Sequence, residues 1–322
     1  MAVGVAEYRG VRLGRPARGT MHRMASEIRI GIIGGTGLEE TLLGGVDPQG
    51  AKSIVCDTPF GRPSDPVITG CCGDASIALL SRHGEGHLLN PAAIPYRANI
   101  YALKSLGCTH IVAFGAAGSL RQEITPGDLV ICDQLIDRTA GRERTFFEHA
   151  AVHVEFAEPF CPVMRRWLVA AAAKLGGVAI HSSGTYVCME GPSFSTRAES
   201  NMHRQWGGDL IGMTALPEAR LAREAEIAYA LVALPTDYDC WRRRDDSVNE
   251  SSLLTEIIAN LTKATESSIE LLSAALHNVR LLGDEPSPAH DALRLAIWSD
   301  KSKIQRGEID RLRVLWGRYF DS

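Results

Sequence analysis

Residues 28–35 read IRIGIIGG, an unbroken apolar run that stops at two glycines. A strand buried on both faces of a parallel sheet has this form. Similar short runs follow: SIALLS (76–81), HIVAFGA (110–116), DLVICD (128–133), VAIHSSGTYVC (178–188), DLIGM (209–213) and IAYALVALPT (227–236). Gly, Asp or Pro bounds each of them. Between them, ANIYALKSLG (98–107) and CPVMRRWLVAAAAKLGG (161–177) are Ala- and Leu-rich and end in glycine, as crossover helices do. Strands alternating with helices predict an α/β fold, a single domain with a mixed, mainly parallel central sheet flanked by helices.

No composition break divides residues 27–283, which read as one catalytic domain closed by a long helix over 250–283. Residues 1–26 are rich in Arg and Gly and lack an apolar core segment, so they read as a flexible N-terminal extension, with an organelle-targeting leader as the alternative. DEPSPAH (284–290) resembles a linker. Beyond it, 284–322 reads as a C-terminal helical extension, with Leu293, Ile297, Ile304, Ile309, Leu312, Leu315 and Trp316 at loosely helical spacing interrupted by Gly307.

With 34 basic and 38 acidic residues among 322, the net charge is −4, and no broad cationic field exists for nucleic acid or an anionic membrane. No apolar run reaches the roughly 18–20 residues of a spanning helix. The eight cysteines are scattered without a C-x-x-C pair, which suits a reducing cytoplasm better than a disulfide framework or zinc ribbon.

Five segments carry chemistry. Gly34-Gly35-Thr36-Gly37 follows a strand and offers backbone N–H groups and a hydroxyl, an anion cradle or an ordinary tight turn. It is neither a dinucleotide fingerprint nor a Walker loop, lacking a third glycine in frame and a G-K-[ST]. Ser81-Arg82-His83-Gly84-Glu85-Gly86-His87 sets a guanidinium and an imidazole where the chain leaves the sheet, suited to phosphate, with a solvated basic loop as the alternative. A metal is disfavoured there: the P-C-x-x-C that zinc deaminases require is absent, and glycines separate His83 from His87. The small residues of Gly115-Ala116-Ala117-Gly118 allow a ligand close to the backbone, or close helix packing. Phe194 and Ser195, with Met213 and Thr214 on a second strand end, form a sandwich for a planar base and a ribose unless Phe194 is simply core. Asp237 and Asp239 close an apolar strand. Two neighbouring acids raise each other's pKa, so one can hold a proton for a leaving nitrogen; a solvated loop is the other reading.

In this order the blocks resemble the trimeric purine nucleoside phosphorylase family, and within it the methylthioadenosine phosphorylase branch. The resemblance runs from about residue 28 to 282, on IGIIGGTGLEE, DTPFGRPSD, SRHG, YRANIYALKSLGCTHI, AAGSL, PGDLVICDQLIDRT, AEPFCP, EGPSFSTRAES, GMTALPE and TDYDCW. It implies phosphorolysis of 5′-methylthioadenosine to adenine and 5-methylthioribose 1-phosphate, with phosphate as co-substrate and no metal or organic cofactor. It implies that Thr36, Arg82, His83, the Ala116 backbone and Thr214 hold phosphate. Phe194 and Met213 would contact base and ribose, while Ser195, Asp237 and Asp239 face the purine, so that Asp237, Asp239 and His83 form the catalytic set. It also implies a cytoplasmic homotrimer, or a dimer of trimers, in which His153 reaches the 5′ pocket of a neighbouring subunit.

A carboxylate accepts from a 6-amino group, which favours adenine over 6-oxopurines. The chain departs from the branch at Gly115, where the branch carries a phosphate-contacting threonine, and at Asn249 and Glu250, where it uses small or apolar residues; Leu253 and Leu254 keep apolar surface there. Alternatives are the same chemistry on another 5′-modified adenosine, adenosine or a 6-oxopurine nucleoside, a hydrolase, or a non-catalytic nucleoside-binding protein.

Overall fold

The computed structural model describes residues 28–35, 49–242 and 250–320. The extension expected over 1–26, together with Thr36 and Asn249, lies outside the described residues. In chain order the strands are β1 Arg29–Gly34, β2 Gln49–Ile54, β3 Val67–Cys72, β4 Ala75–Ser81, β5 His110–Ser119, β6 Leu129–Ile131, β7 Gln134–Arg138, β8 Ile180–His181, β9 Thr185–Met189, β10 Leu210–Gly212 and β11 Ala228–Asp237.

They join one mixed sheet whose longest path is β2-β3-β4-β1-β5-β10-β9-β7. It forks at β5, which pairs β11 in parallel from His110↔Ala228 to Gly118↔Asp237 and takes β10 antiparallel at Ser119. β1 runs parallel to both β4 and β5. Its side chains alternate as the strand period requires: Ile30 and Ile32 pack with Trp167 and Leu272, while Ile33 enters the opposite layer with Ile100 and Trp316. Both faces are therefore covered, and the continuous apolar run at 28–35 is explained.

The crossover helices are Tyr96–Ser105 and Pro162–Ala172, the latter with Pro at its first turn. Arg197–Gln205 opens on a capping box in which the Thr196 hydroxyl accepts from Glu199 N–H (3.2 Å) and the Glu199 carboxylate accepts from Thr196 N–H (2.8 Å). This fixes the chain just after Phe194 and Ser195.

The run at 178–188, read as one strand, divides into β8 and β9. The chain turns at Ser182-Ser183-Gly184, where a Cβ on Gly184 would lie 2.7 Å from Val130, so only glycine lets the backbone pass β6 this closely. The helix expected over 250–283 spans Glu250–Leu276 and is followed by a 3-10 turn at Val279–Gly283.

Residues 288–320 form short turns and two short helices, Arg306–Arg311 and Arg313–Trp316, and Gly307 sits inside the first of these. Leu293, Leu312, Leu315 and Trp316 join the core that holds Tyr101 and Phe147. The segment is latched by Glu226, a buried residue at φ 55°, which accepts from Leu293 N–H (3.0 Å) and the Tyr319 hydroxyl (2.6 Å) and pairs with Arg318 (2.7 Å). Ser287, within the stretch read as a linker, is buried against Cys161.

At the end of the helix Glu218–Glu224, the Glu224 carboxyl accepts from Phe146 N–H (2.8 Å), and burial pushes its pKa from 4.5 up to about 7. The folded chain therefore holds a proton between these values that the unfolded chain releases, and stability falls as pH rises through that window. Glu224→Gln is expected to match the wild type near pH 4.5 and to exceed it by up to about 3 kcal/mol above pH 7, read by urea unfolding at both pH values.

Candidate active site

The ends of β1, β4, β5, β10 and β11 open into a cavity of about 380 Å³, with Met189 at the end of β9 and Ile257 and Leu261 from the helix Glu250–Leu276 on its walls. Carboxyl ends of parallel strands are where α/β sheets leave such crevices. The cavity brings together Arg82, His83, Ala116, Phe194, Met213, Thr214, Asp237 and Asp239. Gly115, Ala117 and Gly118 also line it. A Cβ on Gly118 would press on Asp239 and Ile211 at 3.2 Å, so glycine keeps the acids close to the strand.

Arg82 has no exposed surface. Nε and Nη2 donate to the two oxygens of Glu218 (2.8 and 2.9 Å), and Nη1 donates to the Phe114 carbonyl (2.8 Å). Tyr229 donates to the same carboxylate at 2.7 Å. Burial alone would lower the arginine pKa, but the carboxylate overrides it and raises it. The fork expected to grip phosphate is therefore occupied by Glu218. One N–H remains on each of Nη1 and Nη2.

His83 Nδ1 lies 2.7 Å from the Leu89 carbonyl, which only accepts, so that nitrogen carries the proton and Nε2 presents a lone pair. Burial pushes its pKa down to about 4, and the hydrogen bond to Leu89 only partly opposes this, so the ring is neutral near pH 7. The His87 ring stacks on it at 4.1 Å. Among the described residues no cluster of three His, Cys, Asp or Glu side chains could hold a metal ion.

The two acids differ. Asp237 accepts from Asp239 N–H (2.7 Å) and from the Thr236 hydroxyl (2.8 Å). Asp239 adopts φ 50°, and its Oδ2 is buried without a hydrogen-bond partner. Burial first, and then the Asp237 charge, raise the Asp239 pKa.

Phe194 stands at the mouth, 85% exposed. Ser195 does not line the cavity: its hydroxyl points to Met189 Sδ (3.7 Å) and its carbonyl accepts from Cys240 (3.2 Å). His153 is on the surface, its ring 4.7 Å from Trp298, and does not reach the cavity of its own chain. Leu254 is exposed, and Ile257 and Leu261 supply the apolar wall instead of Leu253 and Leu254. Sequence reasoning did not find Glu218; the signal available was an arginine on an apolar strand end, which must have a counter-charge somewhere.

A strand-end cavity lined by a buried cation and two neighbouring carboxyls suits a ligand that carries an anion and a nitrogenous ring. The profile of the Phosphorylase superfamily matches residues 29–277, and the chain belongs to that family. It is 47% identical over 293 residues to the S-methyl-5′-thioadenosine phosphorylase of Geobacter sulfurreducens, spanning 90% of this chain and 98% of the relative. The enzyme of the same name from Synechocystis is 45% identical, over 90% of this chain and 87% of the relative. Among solved structures, a methylthioadenosine phosphorylase from an antarctic soil metagenomic library superposes with a TM-score of 0.79 at 41% identity, covering 89% of this chain and 98% of that one. The Schistosoma mansoni methylthioadenosine phosphorylase in complex with adenine gives 0.74 at 34% identity, over 84% and 99% of the two chains.

Removing one partner of a buried ion pair leaves the other charge uncompensated. Glu218→Gln is expected to lower the unfolding free energy by about 3–5 kcal/mol, and Tyr229→Phe by only about 1 kcal/mol, both read by urea denaturation.

Proposed function

We propose that this chain catalyses phosphorolysis of 5′-methylthioadenosine, releasing adenine and 5-methylthioribose 1-phosphate. The observation that carries the reading is the placement of Arg82, His83 and Thr214 against Asp237 and Asp239 in one cavity, with the apolar Ile257 and Leu261 alongside. The named relatives are enzymes of this activity, and one of them binds adenine.

Phosphate is held by the two free N–H groups of Arg82, the Thr214 hydroxyl and the Ala116 backbone, with Thr36 completing the cradle. The neutral His83 uses its Nε2 lone pair to accept the P–O–H proton of hydrogen phosphate and so orients the anion. A phosphate oxygen bonds to the anomeric carbon as the carbon–nitrogen bond breaks, and the bonding pair leaves on the purine. Asp239 donates its proton at purine N7, neutralising the departing base, while Asp237 accepts from the 6-amino group. Asp239, Asp237 and His83 are the catalytic set. Phe194 and Met213 flank base and ribose, and Ile257 and Leu261 receive the methylthio group.

The enzyme is a cytoplasmic homotrimer, in which His153 and the exposed Trp298 of one subunit meet the 5′ side of the next. The apolar Leu295 and Trp298 beside His153, exposed by 78% and 71%, support this contact, and eight free cysteines support the compartment. Residues 27–283 form the catalytic body, and 1–26 and 284–322 are its extensions.

Adenine release from methylthioadenosine is expected only when phosphate is present. Release in phosphate-free buffer overturns the reading in favour of a hydrolase, and binding without release in favour of a nucleoside-binding protein. Methylthioinosine is expected to react poorly. Asp239→Asn is expected to cut kcat about 100-fold while leaving the phosphate KM unchanged. The wild-type rate falls as pH rises through the raised Asp239 pKa, and the variant loses that limb.

A Cβ on Gly115 would meet its nearest neighbour, the Thr214 hydroxyl, at 3.4 Å, an ordinary contact. Gly115→Thr therefore fits and adds a donor beside the anion, and the phosphate KM is expected to fall about tenfold, read from initial rates at varied phosphate.

A further inference from the structure

Arg142 lies in the stretch 139–147, outside any regular element, yet its side chain is only 2% exposed. Nη1 donates to the carbonyls of Met213 and Leu216 (2.7 Å each) and to the Tyr96 hydroxyl (3.1 Å). Nη2 donates to the carbonyls of Glu190 (2.5 Å) and Met189 (3.5 Å), and Nε donates to the Glu190 carboxylate (2.9 Å). The five N–H groups of a guanidinium are all engaged by protein acceptors. Arg142 thus contrasts with Arg82, which keeps two free donors, and it does not line the cavity.

The acceptors belong to the two strand ends that carry the nucleoside and phosphate sides of the site. Met189 ends β9 and Glu190 opens the loop to Phe194, while Met213 and Leu216 bracket Thr214 just past β10. A Cβ on Gly191 would sit 2.5 Å from Met213 Sδ, so the two loops also touch each other directly. Parallel strands leave carbonyls without ladder partners where they end, and Arg142 satisfies those of both strands at once. The grip is reciprocal, because the Glu190 carboxylate also accepts from Ala140 N–H (2.8 Å). Through the Tyr96 hydroxyl, which donates to the Pro91 carbonyl (2.9 Å), the same clamp reaches a third wall of the cavity.

We infer that Arg142 is a positioning residue for the phosphorolysis proposed above: it fixes the spacing between the loop after β9 that leads to Phe194 and the segment after β10 that carries Met213 and Thr214, so that nucleoside and phosphate are set at reacting distance. It rests on that reading for the reaction and touches neither substrate. A lysine has three donors without a planar fork, so it cannot span both strand ends.

The test measures Arg142→Lys against the wild type by calorimetric binding of adenine and of inorganic phosphate, by initial rates with both substrates varied, and by thermal unfolding. Expected are roughly 100-fold lower kcat/KM and weaker binding of both ligands, with the unfolding midpoint within about 4 °C of the wild type. Arg142→Ala supplemented with guanidinium is expected to recover part of the rate, since a second cavity of about 200 Å³ opens beside the Arg142 side chain. Weakening of phosphate alone, or losses that only follow the unfolded fraction, overturn the inference. If Arg142→Lys does not fold, Glu190→Gln loosens the same clamp from its other side; joint weakening of both ligands supports the claim and unchanged binding and turnover overturn it. Adenine release by the wild type is scored separately, so its absence sinks the phosphorylase reading while the two binding measurements still judge Arg142.

Discussion

The buried pair of Arg82 and Glu218 is the constraint on which the site depends. Both side chains have no solvent exposure, although 136 residues of chain separate them. Each ion forfeits several kcal/mol of hydration in the interior, and only two-point geometry with every remaining lone pair engaged offsets such a loss. Here the carboxylate takes both arms of the guanidinium and the Tyr229 hydroxyl, and the third arm is held by a carbonyl of β5. The end of β4, the middle of β5 and the helix Glu218–Glu224 are thereby locked together. A cation fixed in this way cannot swing, and it stays at the cavity wall.

The same low-dielectric environment sorts the other ionisable groups. Burial drives His83 toward its neutral form and Asp239 toward its protonated form. The ring therefore keeps its lone pair at lower pH than a free imidazole, and the carboxyl keeps its proton to higher pH than a free aspartic acid. Both groups line the same cavity.

Much of this was legible in the sequence. Strands buried on both faces appear as apolar runs, so β1, β4, β5, β10 and β11 were located, and chemistry-bearing residues cluster at their ends because parallel sheets open there. The hairpin β2–β3 and β7 were not found: QGAKSI and QLIDR lack the apolar continuity of central strands, and their place is set by pairing with distant partners. That Arg82 stands at a strand end on the cavity was legible, but its bidentate partner was not, because Glu218 lies on a helix far along the chain. Arg142 was passed over for a similar reason. An arginine in an irregular stretch reads as surface until the carbonyls it serves are seen. The difference between the two acids was not legible either, because burial, the first cause that raises the Asp239 pKa, is not displayed by a sequence.

The latch at Glu226 has a consequence for the chain's covalent continuity. Residues 284–286 are exposed, whereas Ser287 and the turns beyond it are anchored in the core. A proteolytic nick there would leave two polypeptides joined only by noncovalent contacts, and their union would become bimolecular. Dilution would then strip the tail from the body by mass action, uncovering Phe147 and the stretch that leads back to Arg142.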